Sequence, residues 1–143
     1  MRKKSAADVP LQLGNQLCFA VYSTAHAFNR VYKPLLDRLG LTYPQYLVML
    51  VLWERDGLSV KEIGERLYLD SGTLTQLLKR TRSAADERQV LVALTAQGAA
   101  LRDKAKAIIP PAILDATGCS LAELADLHGK LVRLREQLNA AAG

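Results

Sequence analysis

The chain has 143 residues, half of them hydrophobic, 6% aromatic and 23% charged, with a formal net charge of +5 and a pI near 9.4. That length allows one domain with a modest core, and no apolar run approaches the roughly 20 residues of a membrane-spanning helix. The basic start Met1-Arg2-Lys3-Lys4 is not followed by a signal-peptide core, so a cytoplasmic chain with no membrane partner is expected; the basic excess permits nucleic-acid binding without requiring it.

The first long segment, about Leu11 to Leu39, repeats Leu13, Leu17, Ala20, Val21, Ala25, Phe28 and Val31 at helical spacing. Pro34 is expected to kink or restart it, and Gly40 to end it. Thr42 is the expected N-cap of the next helix, with Pro44 in its first turn. Gln45 to Glu54 is apolar on almost every face, which predicts a central, buried helix. Asp56-Gly57 marks a turn. Ser59-Val60-Lys61-Glu62 has the capping-box pattern and opens a short helix through Ile63 to Leu67. Asp70 or Ser71 then caps a further helix with Leu74, Leu77 and Leu78 inward.

Two short capped helices joined by a tight turn predict a helix-turn-helix. Arg88 to Leu94 alternates like a strand, the one convincing strand in the chain. Thr95 caps another helix, which Pro110-Pro111 is expected to interrupt. After Gly118, a second capping box at Ser120 to Glu123 opens a last helix with a leucine seam (Leu121, Leu124, Leu127, Leu131, Leu134, Leu138) of period near 3.5. The expected fold is therefore mainly α. A winged helix-turn-helix over 42–95 is flanked by terminal helices, 11–40 and 96–143, within a single domain 1–143. Those helices carry more apolar surface than one copy can cover, which predicts a homodimer.

In a helix-turn-helix the second helix enters the major groove. With its leucines inward, Ser71, Thr73, Thr75, Gln76, Lys79 and Arg80 face outward. Gln suits an adenine edge, and Lys and Arg suit phosphates. The same residues would also make an ordinary solvated helix face. The polar stretch Thr81 to Gln89 favours the DNA reading, because Arg82 and Arg88 stand where a wing can place an Arg in the minor groove. Asp86 is expected to pair with an Arg and hold the wing's shape.

Several stretches resemble the MarR family of repressors. Asp86-Glu87-Arg88 with Val90, Leu94, Thr95 and Gly98 resembles its wing signature. Asn15 to Ala20, Leu41 to Leu47, Trp53-Glu54, Leu58 to Leu67 and Leu69 to Thr75 are similar to its organic-hydroperoxide-sensing branch. The resemblance implies a homodimer that binds palindromic double-stranded operator DNA when reduced and releases it when an organic hydroperoxide oxidises the sensing cysteine. By position that cysteine is Cys18, and two tyrosines that hydrogen-bond its sulfur are Tyr32 and Tyr43. Cys119 would make this a two-cysteine member, resolving Cys18 of the other subunit to a disulfide. One departure is large: about nine residues of the family pattern have no counterpart where Lys79-Arg80 meets Thr81-Arg82. Either the segment is omitted from this sequence or it is deleted from the protein, and the intact apolar sequence on both sides favours omission.

A thiolate attacks a peroxide, so Cys18 needs its negative charge stabilised. Placed inside a helix that starts near Leu11, it would gain little from the helix dipole, and no Lys, Arg or His lies within one turn. Stabilisation is expected from the Tyr32 and Tyr43 hydroxyls, with Tyr22 lining the pocket four residues on. Leu17, Phe19, Met49 and Leu50 are expected to favour bulky organic peroxides.

The plain alternative is two inert buried thiols. Spacing argues against a metal site, including at His26 and His128, and no cofactor is expected. An enzyme is not expected, since CxxC and a thioredoxin-like strand–helix alternation are both missing. The competing regulator reading is a MarR-type protein answering a small aromatic ligand. A dimerisation module without a working wing is a third reading.

Overall fold

The structure, a computed structural model, describes residues 6–69, 85–86 and 91–143, with 6–8 and 85–86 described by backbone alone. The chain divides into two compact units, one reaching to Ala105 and one from Lys106 to Gly143. In chain order, two 3-10 turns (Ala6–Leu11 and Leu13–Asn15) precede α1 (Leu17–Asp37), α2 (Tyr43–Glu54), β1 (Leu58–Ser59) and α3 (Val60–Leu67). Then come β2 (Ala85–Asp86), β3 (Leu91–Leu94), α4 (Ala96–Thr117) and α5 (Leu121–Ala142). The second helix of the expected helix-turn-helix, with Asp70 and the inward leucines, lies outside the described residues.

Caps set most of the boundaries. Thr42, Ser59 and Ser120 each accept the backbone N–H of the residue three positions on, and the side chains of Gln45, Glu62 and Glu123 return the bond. Thr95 accepts the Gly98 N–H through its hydroxyl at 3.0 Å. Gly40, at φ +71°, turns the chain after α1 so that the Leu41 N–H reaches back to the Leu36 carbonyl. α3 closes on Tyr68 in the left-handed region at φ 58°, an uncommon conformation for a residue with a side chain.

Three expectations are corrected. α1 does not begin near Leu11, because Pro10 and Gly14 stand in tight turns and the helix opens only at Leu17. It continues through Pro34, and α4 continues through Pro110 and Pro111. Each proline removes one donor to the carbonyl four residues back, and those carbonyls belong to the exposed residues Arg30, Lys106 and Ala107. The Leu91–Leu94 strand is also not alone. β3 is the centre of a three-stranded antiparallel sheet in the order β1-β3-β2, with Leu58 opposite Val92 and Ala85 opposite Leu94. Strands of two residues show no alternation to read.

The core of the first unit is built from Val48, Val51 and Leu52 of α2, Leu58, Ile63 of α3 and Val92 of β3. α2 is central as expected, with Val48 and Met49 wholly buried, although Leu50 faces out. Polar ties join the pieces. Asp56 Oδ1 accepts the N–H groups of Gly57 and Leu94, both at 2.9 Å, pinning the β1 turn to the sheet's central strand. Trp53 Nε1–H donates to the Gly98 carbonyl at 2.9 Å, tying α2 to the first turn of α4. Outside the core, α1 exposes Leu17, Phe19, Val21, Tyr22, Phe28 and Val31, and α5 exposes Leu121, Leu127, Leu131 and Leu138.

Asp56→Ala removes an acceptor for two backbone N–H groups. It is expected to cost about 1–2 kcal/mol in urea unfolding, with Asp56→Asn, which keeps an acceptor oxygen, milder. A loss no larger than that of Lys33→Ala, which breaks only an exposed pair with Asp37, would contradict this role.

Candidate functional site

The start of α1 is open. Its N-cap, Gln16, makes no capping bond, because its side-chain amide donates to the carbonyls of Pro10 at 2.6 Å and Gln12 at 3.1 Å. Asn15 likewise turns back to the Val9 carbonyl. The first intrahelical bond is Ala20 N–H to the Gln16 carbonyl, so the N–H groups of Leu17, Cys18 and Phe19 have no acceptor within the helix. Cys18 is therefore the second residue of an uncapped helix, and it is an exposed free thiol. Cys18 thus stands in the first turn of α1 and not in the helix interior that the apolar rhythm suggested. Among the described residues no hydrogen bond reaches the Cys18 sulfur.

Tyr22, four residues on, is exposed, and its ring meets His26 edge-on at 4.4 Å. Tyr32 is elsewhere. Fourteen residues along one helix, at 1.5 Å each, separate it from Cys18 by about 21 Å. Within one copy the sulfur and the Tyr32 phenol do not meet. Of the apolar residues expected around the sulfur, Leu17 and Phe19 are exposed beside it, whereas Met49 is locked in the core.

The structure does bring Tyr32 and Tyr43 together, their rings edge-on at 5.0 Å. It adds two residues that sequence reasoning passed over. Tyr46 lies 5.9 Å from Tyr32 and 6.4 Å from Tyr43, and Trp53 lies 6.3 Å from Tyr46. The signal was present: positions 43, 46 and 53 share one face at helical period. Burial, with the neighbouring Tyr43 and Tyr46, pushes the Tyr32 phenol up to about 12. Burial also raises Tyr43, and burial with Tyr43 raises Tyr46. These phenols keep their protons at neutral pH and so can donate a hydrogen bond.

Cys119 sits half-buried at the turn between α4 and α5, where Gly118 is left-handed at φ +65°. Its Sγ donates to the Thr117 carbonyl at 3.5 Å and its N–H to Thr117 Oγ1 at 3.3 Å. Among the described residues no group of His, Cys, Asp and Glu could hold a metal, and no single helix is long and apolar enough to cross a membrane. The expected DNA contacts Ser71, Thr73, Thr75, Gln76, Lys79, Arg80, Arg82 and Arg88, the Asp86 side chain and the Arg80–Thr81 junction lie outside the described residues.

A family model described as transcriptional regulator SarA/Rot matches residues 30–105. The chain is 50% identical to the HTH-type transcriptional regulator TtmR of Methylorubrum extorquens, over 98% of this chain and 76% of that protein. It is 48% identical to the organic hydroperoxide resistance transcriptional regulator of Bacillus subtilis, over 90% of this chain and 93% of that one. These alignments run over 149 and 138 positions, so in each about nine positions of the relative have no counterpart in the 143 residues here. Among solved structures, AbfR of Staphylococcus epidermidis is 29% identical with a TM-score of 0.74, covering 95% of this chain and 99% of its own. Its reduced, DNA-bound form superposes at 0.75 and its disulfide form at 0.61.

The tyrosine cluster carries a pH signature. Unfolded phenols ionise near pH 10, while folded Tyr32 holds its proton to about 12. Between those values the unfolded chain has lost protons that the folded one retains, so stability is full below pH 10 and falls as pH rises towards 12. Urea unfolding across that range is expected to show a decline that Tyr32→Phe reduces. An identical decline in the variant would contradict the buried cluster.

Proposed function

The chain belongs to the MarR/SarA-type family of transcriptional regulators and has their mainly α winged-helix fold, and on that premise we propose that it is a redox-responsive repressor whose sensor is Cys18. The observation that carries this reading is the position of Cys18: an exposed thiol at an uncapped helix N-terminus, with Tyr32 towards the other end of the same helix and Tyr43 of α2 against it. Similarity to a regulator of organic hydroperoxide resistance, and to one solved both reduced on DNA and as a disulfide, supports it.

The thiolate attacks the terminal oxygen of the hydroperoxide. An S–O bond forms, the O–O bond breaks, and the alkoxide leaves as alcohol after taking a proton. The sulfur is oxidised by two electrons to a sulfenic acid. The partner subunit's Cys119, as thiolate, then attacks that sulfur: an S–S bond forms, the S–O bond breaks, and the hydroxide leaves as water after taking a proton. Since Tyr32 stands about 21 Å along the helix from Cys18 of its own chain, the phenols that donate to the sulfur are the partner subunit's Tyr32 and the partner subunit's Tyr43. Tyr22 lines the site from the same helix. The exposed apolar faces of α1 and α5 are the surfaces a homodimer covers, with 11–40 and 96–143 as its dimerisation helices and 42–95 as the DNA-reading part. Ser71, Thr73, Thr75, Gln76, Lys79, Arg80, Arg82 and Arg88 contact operator DNA, and Asp86 holds the wing.

A second reading has one observation behind it. A cleft of about 230 Å³, lined by Asn29, Lys33, Leu36, Asp37, Leu41, Thr42 and Tyr43, is open to a small aromatic ligand.

In a gel shift, Cys18→Ser is expected to bind operator DNA like wild type when reduced and to stay bound after cumene hydroperoxide. Cys119→Ser is expected to release DNA more slowly or only with an added thiol. Full release of the Cys18→Ser variant by peroxide would overturn the sensing role. Release of the same variant by an aromatic acid would favour the second reading.

A further inference from the structure

Two half-buried phenols can serve a sulfur only if their rings are held at a fixed angle, and Tyr32 and Tyr43 come from different helices, α1 and α2. Their mutual contact is edge-on at 5.0 Å, with an interplanar angle of 62°. By itself that leaves both rings free to turn outward together. The third ring removes that freedom. Tyr46, 7% exposed, lies one turn beyond Tyr43 on α2, its ring centre 5.9 Å from that of Tyr32 and 6.4 Å from that of Tyr43. Tyr46 is itself backed by Trp53, two turns further on, edge-on at 6.3 Å and 68°. The indole is fixed in turn by its bond to the Gly98 carbonyl at 2.9 Å. The four rings thus form a wall anchored at one end on the backbone of α4 and ending at the other in the two phenols.

We infer that Tyr46, backed by Trp53, is the positioning residue that sets the Tyr32 and Tyr43 phenols for the partner sulfur. The inference rests on the sensing reading given above. Tyr46 acts through its ring and needs no contact with the peroxide. A misplacement of about 1 Å at a reacting group costs on the order of a hundredfold in rate, so a loosened wall is read directly as slower oxidation of Cys18.

The test uses the full-length reduced protein and cumene hydroperoxide, following loss of the Cys18 thiol by mass spectrometry. Tyr46→Leu is expected to react about tenfold or more slowly than wild type, while Tyr46→Phe, which keeps the ring, stays close to wild type. In Tyr46→Leu the Tyr32 phenol should also ionise at lower pH in an ultraviolet titration, since Tyr46 contributes to its elevation. Tyr32→Phe with Tyr43→Phe is run in parallel. If that pair slows the reaction and Tyr46→Leu does not, the positioning role is wrong and the sensing reading stands. If neither slows it, the phenol account fails and takes the inference with it. A Tyr46→Phe variant as slow as Tyr46→Leu would assign the effect to the hydroxyl and overturn positioning by the ring. Should Tyr46→Leu not fold, Trp53→Phe, which loses the Gly98 bond, must slow the reaction; an unchanged rate there overturns the inference.

Discussion

A helix is a ruler, and α1 places Cys18 and Tyr32 fourteen residues apart on it. At 1.5 Å per residue that is about 21 Å, several times the reach of a tyrosine side chain. Within one copy, then, Cys18 and the Tyr32 phenol do not meet, and the proposed sensing chemistry requires two copies of the chain to meet. The apolar residues left exposed on α1 give the physical drive for that meeting. On the proposed reading sensing and dimerisation are one problem, since the surface that joins the copies would also complete the site.

The remainder of the first unit holds its phenols and its sheet on one small core. α2 supplies Tyr43, Tyr46 and Trp53 on one face and Val48, Val51 and Leu52 on another, so the same helix carries the aromatic wall and the packing that fixes it. Trp53 bonds to Gly98 just after β3, and Asp56 bonds to Leu94 within it. These ties connect the phenol cluster to the strand beside the expected wing through short, directional contacts.

Much of this was legible in the residues. Capping boxes announce themselves because an oxygen-bearing side chain and a Glu or Gln at a three-residue spacing satisfy each other's backbone donors, and Thr42, Ser59 and Ser120 all do so. The buried character of α2 followed from its composition. The start of α1 was not legible, because Leu11 and Leu13 extend the apolar rhythm into residues that fold as 3-10 turns, where Asn15 and Gln16 bond backwards. That error hid the open helix end at Cys18. The three prolines misled for a different reason: a lost donor matters little where the orphaned carbonyl reaches water. β1 and β2 were too short to show a period. Tyr46 was not singled out, since its ring neighbour Tyr32 stands on a different helix. The family resemblance named Tyr32 and Tyr43 without saying from which copy they act, and the length of α1 is the reason for proposing that they act across two copies.

The claim that the site is shared between two copies is tested most directly by mixed dimers. One protomer carries Cys18→Ser, and its partner carries Tyr32→Phe and Tyr43→Phe, so that a single sulfur remains, on the chain lacking both phenols. If the phenols act across the joint, this sulfur is served by the intact tyrosines of the other chain and reacts with an organic hydroperoxide at the wild-type rate. In the converse pairing, wild type with a chain bearing all three substitutions, the one sulfur reacts slowly. The opposite pattern, slow in the first dimer and fast in the second, would contradict the account.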